Sequence, residues 1–305
     1  MRNSKTKDST TRFLIYSFIG LLIFSIIVFS LLGIYMSRTS EKVVYEIGQI
    51  YMSGMNEQMS KHFETVIKLR FDQVSGIVSV VSADNNNKEK LYEELVYRAQ
   101  VRNFDYLALC SDEGEFQTIY GESIQPLNPE PFVEALLQGE QRVAVGVDSS
   151  GNEVVLFGVD ATYPMNNGDK STGLIAAVPL EYVTDFLFSV DDGQLMYCHI
   201  IRPDGSFVIQ NSNMELCHFF EQLQKQLDST ANELSEESSI KEFGAALKKH
   251  EEYVATVEVN GEAHQIYSIP LPYSEWYLVS VMPYSILNKN VDALENLRIF
   301  MVGLS

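Results

Sequence analysis

Residues 13–36, FLIYSFIGLLIFSIIVFSLLGIYM, run for 24 positions without a charged side chain. At about 1.5 Å of rise per residue they make a helix about 36 Å long, enough to cross a hydrocarbon layer about 30 Å thick. A cleaved signal peptide would carry a shorter apolar stretch, about 7–15 residues, ending in small residues. Here the run is longer and ends in Gly33-Ile34-Tyr35-Met36-Ser37-Arg38, with no Ala-x-Ala-like site. The expectation is an uncleaved anchor, transmembrane helix 13–36, with the lipid bilayer as its partner.

Charge is divided around that anchor. Residues 1–12 carry Arg2, Lys5, Lys7 and Arg12 against Asp8, whereas residues 38–296 hold 17 Lys and Arg against 40 Asp and Glu. A basic cap before an apolar span places residues 1–12 in the cytoplasm and residues 37–296 outside it, at the cell membrane. The acidic excess, −19 over the chain, has the wrong sign for phosphate and argues against nucleic acid as a partner. Three cysteines close at most one bridge, which excludes a disulfide scaffold. The 46% of hydrophobic residues, with 17 Phe and 16 Tyr, suffices for packed cores, and 305 residues leave room for about two domains.

From Glu41 to about Ser82 the apolar residues recur in steps of three and four: Val44, Ile47, Tyr51, Met55, Met59, Phe63, Val66, Leu69, Val74, Ile77 and Val81. That spacing predicts one long amphipathic stalk helix within residues 37–84. At about 55 Å it is longer than a small domain is wide, so it must run alongside more than one. A two-stranded coiled coil is the competing reading, weakened by drift from strict heptads and by Gly48, Gly54 and Gly76.

A polar break at Asp84-Asn85-Asn86-Asn87 supplies an N-cap for a second helix, Lys88 to Gln100. The periodicity then changes to strands: 104–110, a turn at Ser111-Asp112-Glu113-Gly114, 115–120, 141–147, 153–160 and 173–179. A short helix, 129–138, follows the second strand. Five strands with one inserted helix make a small antiparallel sheet of the α+β type. The pattern then restarts. Strand 196–201, the turn Arg202-Pro203-Asp204-Gly205 and strand 206–210 match the first hairpin, with Gly205 aligned on Gly114 and Phe207 on Phe116. A polar, helix-forming insert covers 214–250, Asn260-Gly261 marks a hairpin between 252–259 and 262–271, and the last strand is 276–282. Pro283 aligns with Pro179. The expectation is two copies of one module, 85–190 and 191–284, an exit helix at 285–296, and an apolar tail, 297–305. The tail reads either as an amphipathic C-terminal helix or as the start of a second transmembrane helix. The second reading is favoured because Val291–Arg298 runs into it as a helix.

This order of parts resembles the double-Cache sensors of bacterial transmembrane receptors. The most specific matches are Ile200-Ile201-Arg202-Pro203-Asp204-Gly205 and the run from Ser274 through Trp276 to Pro283. Gly173–Leu187 is similar to the family's last strand and exit helix in the first module. The implied fold is α+β: an N-terminal transmembrane helix, a long stalk helix, two tandem PAS-like antiparallel-sheet modules and the start of a second transmembrane helix. The implied function is an extracytoplasmic small-molecule sensor, 85–190 being the membrane-distal module that binds ligand and 191–284 the membrane-proximal one. Its signal would pass through the second span to a cytoplasmic output, which in the family is a histidine kinase, a diguanylate cyclase or phosphodiesterase, or a chemotaxis receptor; a histidine kinase or diguanylate cyclase is the favoured reading here. Members that bind amino acids carry an Arg-x-Trp pair after the second strand and a later Tyr-x-Asp. Here Thr118–Glu130 has neither Arg nor Trp, and the nearest later match is Phe157-Gly158-Val159-Asp160.

Candidate ligand contacts are residues that sit awkwardly in a plain core. Asp160 ends an otherwise apolar strand, where a turn cap is the competing role. Tyr106 lies among apolar neighbours, as a core residue would. Arg142 is the only arginine between Arg102 and Arg202 and could equally be a solvated hairpin residue. Phe157 belongs to the partial match above, and Tyr163 follows Asp160 closely enough to share a site.

Catalysis finds no support. His62, His199, His218, His250 and His264 form no HExxH or paired metal spacing, and no nucleophile elbow or phosphate loop occurs. Cys198-His199 and Cys217-His218 repeat, but adjacent strand residues face opposite ways, so neither a metal nor a cofactor is expected. A Cys198–Cys217 disulfide is compatible with an extracytoplasmic location. Two functions of different class follow: a ligand-binding sensor, homodimeric through its stalk helices, or a membrane-anchored extracellular scaffold that binds another protein.

Overall fold

The computed structural model describes residues 4–83, 87–188, 196–210, 217–227, 238–259 and 262–283. Two compact units divide the chain; one includes Met1–Tyr51, and the other is Met52–Tyr284. The expected exit helix and the tail at 297–305 lie outside the described residues.

Helix α1 runs over Ser4–Val78. In the first unit, Tyr16–Tyr35 has a mean hydropathy of 2.6 with none of it buried, and among the described residues it alone is long and apolar enough to cross a membrane. In the second unit α1 buries Met52, Asn56, Phe63, Ile67, Phe71, Val74 and Ile77 at helical spacing. This stripe differs from the predicted one. Leu69 points outward at 56% exposed, while Arg70 and the wholly buried Asn56 turn inward. The reason is the surface that α1 covers, which carries polar groups where Asn56 meets it, as described below. Asn87 caps helix α2 (Lys88–Val101), its Oδ1 accepting from the amides of Glu89 and Lys90.

The first sheet comprises β1 (Tyr106–Cys110), β2 (Phe116–Tyr120), β3 (Ile124–Pro126), β4 (Arg142–Asp148), β5 (Glu153–Asp160) and β6 (Gly173–Pro179). It is antiparallel, in the order β2-β1-β6-β5-β4-β3. Strand β3 has three residues, too few for an alternating pattern to register, and the sequence does not reveal it. Helix α3 (Pro129–Leu137) lies on one face, where Phe132, Val133 and Leu136 pack on Ala108, Leu156, Ile175 and Ala177. The opposite face meets α1, with Phe157 edge-on to Phe71 at 5.8 Å between ring centres. Helix α4 (Leu180–Phe188) follows β6.

The second sheet comprises β7 (Tyr197–Ile201), β8 (Phe207–Ile209), β9 (Tyr253–Val259), β10 (Glu262–Pro270) and β11 (Tyr277–Pro283), in the order β8-β7-β11-β10-β9. Apart from β3 this repeats the first sheet strand for strand. Gly114 and Gly205 hold the two equivalent hairpin turns at φ of +81° and +80°, a conformation that favours glycine. The polar insert supplies helices α5 (Cys217–Leu227) and α6 (Ser238–Lys249). They cover one face through Phe219, Phe220, Leu223, Phe243 and Leu247, packed on Ile266, Tyr277 and Val279.

Candidate functional site

Side chains alternate across a strand, so β5 sends Leu156, Gly158 and Asp160 toward α3 and Phe157 toward α1. Glycine at 158 is what lets α3 sit down: a Cβ there would lie 2.7 Å from the Phe132 ring and 2.9 Å from Leu136. Of the five residues singled out by sequence, Tyr106, Arg142 and Asp160 share the α3 side of the sheet. Phe157 is fully buried on the other side against Phe71. Tyr163 stands outside the strands, buried, and ties the segment after β5 to the end of α1 by donating its hydroxyl to the Val81 carbonyl at 3.1 Å. Burial pushes its phenol up to about 12.

The three on one side are not all neighbours. Tyr106 pairs with Ala177, which pairs with Leu156, and Asp160 lies four residues farther along β5. That offset is about 13 Å along the strand, in addition to two strand spacings of about 5 Å each. Arg142, opposite Gly158, belongs to the Asp160 end. Tyr106 belongs to the other. It donates to Asp148 Oδ2 at 2.9 Å, and desolvation with the neighbouring carboxylate raises its pKa to about 12. Asp148 also accepts from the backbone amides of Ser150 and Asn152 and from the Asn152 side chain. Those bonds hold its carboxyl below the usual range, the Asn152 amide most of all. Asp148 thus closes the β4–β5 turn and fixes Tyr106, a role that sequence alone does not disclose because it depends on a contact 42 residues apart. Asp160 is exposed at the end of β5, opposite Gly173.

Arg142 opens onto a cleft of about 470 Å³ between the first sheet and two turns of the second, lined among others by Asn128, Pro131, Val145, Arg202 and Trp276. Arg142 Nη2 stands 3.5 Å from Glu275 Oε1 within it, and Arg202, also on its wall, places Nη2 3.6 Å from Oε1 of Glu153, which is not among the lining residues. The Val143 amide donates to the Tyr273 carbonyl at 2.9 Å beside them. Arg202 and Trp276 sit in the segments that carry the sequence resemblance, but nothing in the sequence pairs them with Arg142.

A polar seam runs between α1 and the second sheet. Ser280 donates to Asn56 Oδ1 in a short hydrogen bond, and Cys198 Sγ lies 3.3 Å from Ser280 Oγ. Cys198 is a free, buried thiol, so it is not bridged to Cys217. Burial raises its pKa, partly offset by Ser280. Asn56 Nδ2 and both amide atoms of Gln265 are buried without a hydrogen-bond partner among the described residues. His199, one residue from Cys198, faces the other way and packs edge-on against Phe207 and Phe220. Burial lowers its pKa to about 4.

This arrangement of two repeated sheets along one helix is the fold of the double-Cache-type ligand-binding domains found in bacterial chemoreceptors and in a histidine kinase extracellular domain. The ligand-binding domain of the Pseudomonas aeruginosa amino-acid chemoreceptor PctB, in complex with L-Gln, matches with a TM-score of 0.50 at 13% identity, covering 81% of this chain and 97% of that one. The ligand-binding domain of the Campylobacter jejuni chemoreceptor Tlp3, in complex with L-norvaline, matches at 0.52 and 11% identity over 81% and 94%. The extracellular domain of the candidate histidine kinase mmHK1S-Z2 matches at 0.50 and 11% identity over 77% and 98%. No family model matches the sequence, and no curated protein matches it.

Proposed function

We propose that this chain is the extracytoplasmic small-molecule sensor of a membrane receptor. One observation carries the reading: the exposed apolar helix Tyr16–Tyr35 precedes a fold shared with receptor ligand-binding domains over about four fifths of the chain. Residues 13–36 cross the membrane, residues 1–12 are cytoplasmic and residues 37–296 are outside. Within that body, 37–84 is the stalk, 85–190 the membrane-distal module and 191–284 the membrane-proximal module. Residues 285–296 lead out to a second span that begins at 297. The chain itself does no chemistry and passes its signal to a cytoplasmic output of histidine kinase or diguanylate cyclase type. Two copies pair through their stalk helices.

The ligand belongs to the 85–190 module, on the side of the first sheet shared by Tyr106, Arg142 and Asp160. Phe157 and Tyr163 support that site from the core. The chemoreceptor relatives named above were solved with amino acids bound, so amino acids head the ligands to try. The absence of Arg and Trp between Thr118 and Glu130 means that any such ligand is held by other contacts.

Topology tests the framework. In spheroplasts with an intact inner membrane, added protease should digest residues 37–296 and spare a tag placed before Met1. A tag digested with the body, or a body that survives until the membrane is lysed, would overturn the assignment.

A further inference from the structure

We propose that the cleft between β4 and the turns of the second sheet is a further binding site, sharing Arg142 with the one proposed above, for a small dicarboxylate, with one carboxylate taken by Arg142 and the other by Arg202. Its volume, about 470 Å³, is within the range of small-molecule sites. Beyond its ladder with β3, the edge of β4 is held by the Val143 amide donating to the Tyr273 carbonyl and by the Leu127 amide donating to the Val145 carbonyl, which leaves the Arg142 side chain at the mouth of the cleft.

The two guanidinium groups come from different sheets, and each meets its carboxylate only at long range. Their carboxylate partners stand at 3.5 and 3.6 Å, beyond the roughly 2.7–2.9 Å of a charge-assisted hydrogen bond. Arg202 is nevertheless fixed in place, because its Nη1 donates to the Phe207 carbonyl at 2.7 Å and to Ser206 Oγ at 3.0 Å. Its Nη2 is left buried without a hydrogen bond among the described residues. Pre-positioned donors of this kind bind a carboxylate without first having to be ordered.

Ligand shape follows from the two ends. Arg142 opens β4, whereas Glu153, the partner of Arg202, lies opposite Val147. The two arginines thus reach the cleft from different sheets and at different points along β4. Pro131, Val145 and Trp276 supply an apolar wall between them, suited to methylene groups. Asp204 and Glu275 on the rim disfavour a compact polyanion more than an extended molecule with one charge at each end. A diacid that binds here takes the place of Glu275 at Arg142 and meets the buried Nη2 of Arg202.

Trp276 is the chain's single tryptophan and lines the cleft, so its fluorescence reports on occupancy. The full chain in detergent would be titrated with adipate, its neutral diamide and inorganic phosphate, followed by calorimetry and tryptophan emission. Adipate should give saturable heat and a matching emission change, and the diamide and phosphate should give neither. Arg202→Gln should weaken adipate binding about tenfold or more, and Arg202→Lys should do the same, since an ammonium cannot present the paired donors. If Arg202→Gln does not fold, Arg142→Gln carries the same expectation at the other end. No saturable binding at millimolar adipate, tighter binding of phosphate, or unchanged affinity in a folded arginine variant would overturn the proposal.

Discussion

His199 shows what burial does to a single titrating side chain. It is 4% exposed, set between Phe207 and Phe220, and its pKa falls to about 4 because the charged form loses its hydration. The unfolded chain binds a proton near pH 6.5, so between about 4 and 6.5 it takes up a proton that the folded state refuses. Stability is therefore full above that window and declines as pH drops through it, by about 3 kcal/mol at the acid end if His199 alone titrates. Denaturant melts from pH 7 to pH 4 should show this slope, and His199→Phe should flatten it. An identical slope in the variant would mean that other groups carry the acid sensitivity. The sequence offered His199 only as half of a Cys-His pair; its aromatic cage becomes visible once α5 folds over the strand. Arg142 and Tyr106 were likewise legible as unusual residues, but their partners, Glu275 and Asp148, were not, because each contact depends on the register of distant segments.

At the level of elements, period and punctuation carried most of the reading. Both hairpin turns, the cap at Asn87, the proline-led α3 and the closing prolines of β6 and β11 follow from local chemistry. The three-residue β3 left no signal, and the inward turn of Asn56 depends on what α1 packs against rather than on its own pattern. The docking of α3 makes a specific claim. A Cβ at position 158 would collide with Phe132 and Leu136, so Gly158→Ala should cost about 1–3 kcal/mol by overpacking. Chemical denaturation measures this directly, and a neutral substitution would show that α3 yields at little cost. Helix α1 makes another. Ile47 and Ile50 are 56% and 74% exposed, apolar positions suited to pairing with a second copy. Ile50→Cys should form a disulfide-linked dimer in membranes under mild oxidation, whereas a cysteine at Lys68 should not. Equal cross-linking at both positions, or none at either, would count against pairing through this face.

Across the whole molecule, the duplicated strand order and the long helix were readable because repetition and periodicity need no knowledge of tertiary contacts. The meeting of the two sheets was not readable, since Arg142–Glu275 and Arg202–Glu153 join residues 133 and 49 positions apart. Sensing is the central claim, and it is a claim about ligand binding. The most direct measurement is the melting temperature of the purified chain across amino acids, organic acids, amines, sugars and purines. A ligand at about 100 times its dissociation constant stabilises a fold by about 2.7 kcal/mol, which shifts a body of this size by several degrees. The expected result is a saturable rise with at least one chemical class that is lost in a still-folded Asp160→Ala or Tyr106→Ala variant. A flat panel would contradict small-molecule sensing and favour a membrane-anchored scaffold that binds a protein partner.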